Sequence, residues 1–373
     1  MDFQYSEEQR MLADSLRRFA AEGWSFEGRR NASRKGKGFT DDNWNVLAEM
    51  GVLGLNIPQE YDGFGENPAS MLVVHAELGR VLAGEPVIPS SVVCGTILER
   101  FGSDAQKKQF LPAIAGGESV FTLAYLEPGR RYEPAPASTR VEARGDGFVL
   151  NGTKVLVWHA AAATSLLVSA VGADGKAGLF VVPRDAAGVS MRDYPTIDGV
   201  RAADITFSNV EVGADALVGA QGDAAAALEL GIDHGIAALC AHAAGAMERL
   251  IEITAEYLRT RKQFGQPLGK FQALQHRMAD MLIQKEQALS MAYVAVSALT
   301  EQDVAKRRRM ISGAKTVVAE AGRYVGQQAV QLHGGMGMTD ELEVGDYFKR
   351  LTMVDPLFGD MDYHTQRFSE NMA

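Results

Sequence analysis

Residues 355–367 read DPLFGDMDYHTQR and hold three aspartates, two aromatics, a histidine and a glycine. A carboxylate in such a segment has two uses. It can cap a turn by accepting backbone N–H groups. It can also take a proton from a substrate carbon, when burial lifts its pKa towards the working pH. The residues allow either use, so the rest of the chain has to decide.

Two further stretches could hold a ligand. The first runs Tyr257-Leu-Arg-Thr-Arg-Lys-Gln-Phe-Gly-Gln-Pro-Leu-Gly-Lys-Phe-Gln272. A helix should end near Lys262 and another begin near Phe271, with a Gly/Pro turn between. Arginine offers a planar fork for phosphate, and a phenylalanine beside it can cover a flat ring. A capped interhelical turn, with arginine at a helix C-terminus, fits the same residues. The second stretch is Gln331-Leu-His-Gly-Gly-Met-Gly-Met-Thr-Asp-Glu341. Its glycines let backbone approach a ligand closely, and Gln331 could bond a polar ring edge. By itself it also reads as a helix end and a loop.

The elements that must position these residues fall into three regions. Residues 1–117 read as a helical domain. Ser6-Glu7-Glu8-Gln9 is a capping box, followed by Leu12, Leu16 and Phe19 at helical spacing. A helix should start near Thr40, turn Trp44, Leu47 and Ala48 inward, and stop at Gly51. Residues 118–221 change to a period of two. Gly145-Asp146-Gly147 and Asn151-Gly152 read as turn pairs between strands, which predicts a small antiparallel β-sandwich or barrel. Residues 222–373 return to long, alanine-rich helices that are apolar on several faces, the pattern of a four-helix bundle that continues into a subunit interface. The class is α+β.

A net charge of −10 argues against nucleic acid as a partner. Two cysteines, Cys94 and Cys240, are too few for a disulfide framework or a zinc site and fit the cytoplasm. The start, MDFQYSEEQR, lacks the pattern of a signal peptide, and no apolar run long enough for a membrane span is expected. Lys306–Arg309 reads as a solvated face. His333 and His364 have no metal-ligand spacing around them.

The pattern Tyr-x3-Arg-x-Gln-Phe-Gly, then Phe-Gln, then Gln-x-His-Gly-Gly-x-Gly-x-Thr-x-Glu, resembles the acyl-CoA dehydrogenase flavoprotein family. The resemblance covers nearly the whole chain, including Ile57–Gly63, Gly102–Pro112, Leu126-Glu127-Pro128 and Asn151–Lys154. Asp198–Ala203, Gln331–His333 and Phe358–His364 look like the small-subunit type found with pimeloyl-CoA dehydrogenase.

The resemblance implies FAD as cofactor and an acyl-CoA substrate. It implies a homodimer, homotetramer or heterotetramer with a related large subunit, and an electron-transfer flavoprotein as electron acceptor. It implies that Arg261, Gln263, Phe264, Gly265, Phe271, Gln272, Gln331, Gly334, Gly335 and Gly337 contact the FAD of a neighbouring subunit. The other half of the flavin site departs from the family. Leu126 stands where a threonine is usual and Tyr132 where a serine is usual. Trp158 lies two places beyond the usual tryptophan, on the same strand face by alternation, either near the flavin or in the core. In the 355–367 segment many members place Glu-Gly-Thr, with the glutamate as base. Here glycine falls at the glutamate position, leaving Asp360 as first candidate base and Asp362 as second. Asp233, two residues before the base position of another branch, is third. Arg130 and Arg131 are candidates to pair with a carboxylate on the acyl group. The readings left open are a self-sufficient dehydrogenase, a subunit that completes a partner's FAD site, a non-catalytic CoA- or flavin-binding protein, and an acyl-CoA oxidase.

Overall fold

The computed structural model describes residues 6–66 and 68–372, so residues 1–5 of the N-terminal stretch lie outside it. Six helices come first: α1 (Glu7–Gly23), α2 (Phe26–Lys35), α3 (Asp41–Glu49), α4 (Pro68–Arg80), α5 (Gly95–Phe101) and α6 (Asp104–Ala115). Eight strands follow: β1 (Phe121–Ala124), β2 (Arg140–Arg144), β3 (Gly147–Trp158), β4 (Ser165–Val171), β5 (Ala177–Pro183), β6 (Val189–Pro195), β7 (Arg201–Gly213) and β8 (Leu217–Val218). Helix α7 (Ala224–Thr260) leads into a hairpin of β9 (Lys262–Gln263) and β10 (Gln266–Pro267). Helices α8 (Gln272–Ala298), α9 (Val304–His333), α10 (Val344–Met353) and α11 (Met361–Glu370) complete the chain. The order of helices, sheet and helices is the one predicted.

Local signals start the helices where expected. Ser6 Oγ accepts from Gln9 N, and Gln9 returns its side chain to the Ser6 backbone, closing the capping box. Thr40 Oγ1 accepts from Asn43 N at 3.2 Å. Trp44 and Leu47 are buried behind it. Two elements had no legible signal: α2, and a buried seven-residue π-helix at Ile88–Cys94.

By its contacts the chain divides into two compact units. One comprises residues 29–66 and 84–235 and carries the sheet. The sheet order is β6-β7-β3-β2-β4-β5-β8. Most neighbours are antiparallel, but β1 runs parallel to β4, and β2 meets β4 in parallel at Arg140–Val171. Gly145-Asp146 makes the predicted turn, since Arg144 faces Gly147 across the β2–β3 hairpin. Asn151-Gly152 does not turn. It lies inside β3 at a break in register with β7. The Asn151 side chain fills the gap, accepting from Asn209 N at 2.8 Å and donating to Asn209 Oδ1 at 3.2 Å. A turn signal thus became a bulge, because the side chain replaced the ladder bond that the extra residue removed.

The other unit comprises residues 6–28, 68–83 and 236–372. Helix α9 packs against α8, α10 and α11, while α1 packs on α4. Arg17 clamps Glu77 with two bonds of 2.6 and 2.9 Å. A Cβ on Gly79 would lie 1.9 Å from His242 O, and one on Gly245 1.8 Å from Ala76 O. The backbones of α4 and α7 therefore touch, as expected of helices packed through small residues. The expectation of no membrane-length apolar run overlooked α7, which has an 18-residue window of mean hydropathy 1.4. Of that window 67% is buried inside the structure, the condition of a core helix.

Candidate functional site

The two C-terminal motifs are joined by one ring contact. Tyr257, in the last turn of α7, stacks on His333 at the end of α9, with ring centroids 4.3 Å apart. Its hydroxyl also donates to His333 O at 3.3 Å. His333 Nδ1 faces Ala329 O at 2.8 Å and so carries the hydrogen. Burial lowers the pKa of this ring, and the Ala329 carbonyl opposes the shift.

From this anchor the chain leaves α7 into the β9–β10 hairpin. Its turn is Phe264-Gly265, with φ of 53° and 80°. Phe264 is 89% exposed. A bulky residue held at positive φ is a backbone outlier, and exposing its ring to water adds a hydrophobic penalty. Phe264 meets Phe271 edge-on at 6.1 Å. Arg261, Gln263 and Gln272 are exposed around it. On the α9 side, Gln331, Gly334 and Gly335 are exposed. A Cβ on Gly265, Gly334 or Gly335 would have no atom within 4 Å, so their backbone is open to approach. Gly337 differs: it is buried, and a Cβ there would meet Val330 O at 2.7 Å. An open backbone, a guanidinium, amide side chains and an uncovered ring suit a ligand that is both flat and phosphorylated.

The 355–367 segment is held from beneath. Lys315 of α9, 0% exposed, donates to Asp355 O at 2.8 Å and Gly359 O at 2.7 Å. Burial pushes its pKa down to about 8, against the opposing effects of Cys240, Asp355 and Asp360. The Asp355 carboxylate accepts from Arg323 Nη2 at 2.8 Å and from Met361 N at 3.0 Å. His364 Nε2 lies 3.1 Å from Phe358 O, which fixes the hydrogen on that nitrogen, so Nδ1 accepts from Ser312 Oγ at 3.2 Å. The ring is neutral. Burial, then the Lys315 charge, push its pKa down to about 3, despite the Phe358 carbonyl.

Phe358 and Gly359 both have positive φ, 60° and 116°. A Cβ at Gly359 would lie 2.6 Å from Tyr363 Cδ1 and 2.8 Å from His364 Nε2. This conformation leaves no room for a side chain at position 359. Asp360 is half-buried and N-caps α11, with Oδ1 accepting from Tyr363 N at 2.9 Å. Asp362 is exposed in the first turn of the same helix. Asp233, the third candidate, is 1% exposed on α7 and belongs to the sheet-bearing unit.

In that unit a buried ion pair fixes the chain just beyond β1. Lys154 Nζ donates to Glu127 Oε1 at 3.0 Å, Ser169 Oγ at 3.0 Å and Tyr125 O at 3.2 Å. Glu127 also accepts from the backbone N–H groups of Ala137, Ser138 and Thr139 at 2.8–2.9 Å. Burial raises the Glu127 pKa. The Ser138, Ala137 and Thr139 donors and the Lys154 charge outweigh it and hold the carboxyl below its ordinary range. Burial lowers the Lys154 pKa, and Glu127 opposes the change.

This clasp presents Leu126, half-buried, whose carbonyl accepts from Val155 N at 2.9 Å. Arg130 and Arg131 lie exposed on the turn beyond, with the Arg131 guanidinium 5.8 Å from the centre of the Tyr132 ring. Trp158 is half-buried at the end of β3, and its carbonyl accepts from Thr122 Oγ1. The same-face argument for Trp158 fails. A register break between Lys154 and Val157 puts Leu156 at φ 53° and 57% exposed. The bulge interrupts alternation, and Asp204 stabilises it by accepting from Leu156 N at 3.3 Å.

Three family models match in succession: the acyl-CoA dehydrogenase N-terminal domain at 6–118, the middle domain at 122–210 and the C-terminal domain at 224–373. The acyl-CoA dehydrogenase FadE12 of Mycobacterium tuberculosis is 31% identical over 334 residues, 86% of each chain. The chain belongs to the acyl-CoA dehydrogenase family. A solved structure of a Tcur3481-Tcur3483 steroid ACAD variant is 30% identical with a TM-score of 0.89, covering 98% of each chain. The ChsE4-ChsE5 complex from M. tuberculosis is 25% identical with a TM-score of 0.89, covering 100% of this chain and 99% of that one.

The protein is thus an oxidoreductase of the acyl-CoA dehydrogenase type, with FAD as its cofactor. The hairpin cluster offers an exposed ring and open glycine backbone, which suit part of that cofactor. Sequence reading missed the supporting groups. Lys315 was visible only as a lysine inside the small and apolar run Ile311–Ala319, the pattern of a buried charge. Glu127 and Lys154 are 27 residues apart, and nothing local links them.

Proposed function

We propose that this chain takes part in the α,β-dehydrogenation of an acyl-CoA thioester, with Asp360 as the carboxylate that accepts the α-proton. Bound FAD supplies the acceptor for the β-hydrogen, which leaves as hydride to N5. Arg261, Gln263, Phe264 and Gly265, with Phe271, Gln272, Gln331, Gly334 and Gly335, hold the FAD of a neighbouring subunit. Gly337 supports their turn by packing. Leu126 and Trp158 flank the chain's own flavin position. Arg130 or Arg131 pairs with a carboxylate at the far end of the acyl group, and an electron-transfer flavoprotein would serve as the electron acceptor. The observation that carries the reading is the exposed, strained Phe264 turn beside open glycine backbone.

The base assignment rests on position. Asp360 follows Gly359 directly, and the next carboxylate along the chain, Asp362, is exposed. A second reading has a specific observation behind it. Asp360 Oδ1 is engaged as a helix cap, and Gly359 excludes a glutamate. On that reading the chain has no base of its own and completes the FAD site of a related partner. Two solved relatives are named as paired chains, Tcur3481-Tcur3483 and ChsE4-ChsE5, which supports it.

Asp360→Asn separates the two, because asparagine keeps the cap and cannot take the proton. The first reading expects turnover with a reactive acyl-CoA to fall by at least about 1,000-fold, with the flavin spectrum and melting temperature kept. Undiminished turnover rejects Asp360 as base. If the wild-type chain stays colourless with FAD until a related chain is supplied, the second reading holds.

A further inference from the structure

Lys315 puts an ammonium in a core where a methionine of similar shape would avoid desolvation. Its two hydrogen-bond acceptors are main-chain carbonyls, Asp355 O and Gly359 O, so it fixes backbone rather than another side chain. Between those carbonyls, Phe358 O is taken by His364 Nε2. At one end Asp355 is tied to Arg323, and at the other Met361 N returns to Asp355 Oδ1. Three carbonyls of five consecutive residues are thus turned towards α9 and α11. That arrangement imposes the two successive positive φ angles at Phe358 and Gly359 and delivers Asp360 to its place at the start of α11.

We propose that Lys315 is a positioning residue for the reaction: by binding Asp355 O and Gly359 O it holds segment 355–360 in the conformation that decides which residue faces the substrate. This rests on the reading of that segment as substrate-facing. Loss of the proton from Lys315 does not release the hold, since a neutral amine keeps two N–H donors for two carbonyls. The charged and titratable groups around it are Cys240 of α7, Asp355, Asp360, His364 and, through Ser312, Arg367.

The test compares wild type, Lys315→Met and Asp360→Asn as full-length chains in the assembly in which each is active. Amide hydrogen exchange and steady-state turnover are both measured. In Lys315→Met, peptides covering 355–364 should exchange at least about tenfold faster, while α7 and α8 peptides stay within about twofold. The kcat should fall at least about tenfold and KM stay within about threefold. Lys315→Gln, shorter and able to reach one carbonyl, should move both readouts the same way and serves if the methionine variant does not fold. The proposal is overturned if 355–364 exchange is unchanged, or if exchange rises equally throughout the chain. It is also overturned if the segment loosens while turnover that depends on Asp360 is unchanged. Full turnover by Asp360→Asn instead overturns the base assignment and the part of Lys315 in the reaction. Its hold on the backbone is then judged by exchange alone.

Discussion

Replacing Gly359 by alanine tests the segment at its tightest point. The backbone there has φ of 116°, which an L-residue adopts at roughly 1–3 kcal/mol. The new Cβ would lie 2.6 Å from Tyr363 Cδ1 and 2.8 Å from His364 Nε2. Overpacking of that kind costs about 1–3 kcal/mol. His364 can yield only by giving up its bond to Phe358 O, worth about 1 kcal/mol. Together these give about 3–7 kcal/mol, a large share of the roughly 5–15 kcal/mol that stabilises a typical protein. With a urea slope near about 3 kcal/mol per molar, the midpoint for the helical unit should fall by about 1 M or more. Gly335→Ala is the control, since a Cβ there has no atom within 4 Å. It should stay within about 0.5 kcal/mol of wild type. If Gly359→Ala unfolds at the wild-type midpoint, or if Gly335→Ala loses as much, the strained and filled geometry of the segment is wrong. Gly359→Glu should be no more stable than the alanine variant and should gain no dehydrogenase activity.

Phe264→Gly should move stability and cofactor binding in opposite directions. Removing a positive-φ side chain relieves about 1 kcal/mol of strain, while FAD retention after gel filtration falls about tenfold or more; loss of neither overturns the role given to the hairpin. Glu127→Gln leaves the Lys154 ammonium buried without its counter-charge and should cost about 3–5 kcal/mol. Adding Lys154→Met should not restore stability, because Ala137, Ser138 and Thr139 would still lack the carboxylate that receives their N–H groups; full recovery in urea unfolding would refute this. Stability should also fall as the pH drops below about 6.5. His75 and His364 are pushed down to about 3, both mainly by burial, so the unfolded chain binds their protons first. Each should remove about 1 kcal/mol between about pH 6.5 and 5.5. His242, lowered by burial and by the charge of Arg350, adds to the loss, as does His333. A melting temperature that is flat from about pH 7.5 to 5.5 would count against these assignments.

What the sequence made legible was governed by neighbours in the chain. The Ser6 and Thr40 caps, the Gly145-Asp146 turn and the alanine-rich helices depend on residues a few places apart, and they form as predicted. Asn151-Gly152 carries an equally strong local signal, yet it lies within a strand. The deciding partner, Asn209, is 58 residues away, and no local rule reaches it. The same distance hid the Glu127–Lys154 clasp and the hold of Lys315 on Asp355 and Gly359.

The candidate site divides along the same line. Phe264-Gly265 and Gly334-Gly335 could be read as ligand-facing because their chemistry lies in residue type: a ring, a guanidinium and bare backbone. The base could not, because proton abstraction depends on where a carboxylate points and what already bonds it. Asp360, Asp362 and Asp233 are alike in sequence. In the structure one caps a helix, one is exposed and one is buried in the sheet-bearing unit. Gly359, which the proposed alignment sets at the family glutamate, is the most informative of these residues. Its positive φ and filled surroundings mean that restoring glutamate would require rebuilding Tyr363, His364 and the carbonyls that Lys315 holds. On that proposed alignment, a change at the base position has become a property of the surrounding packing. Asp360→Asn and Lys315→Met together therefore reveal more about the proposed site than any attempt to graft the family base back into it.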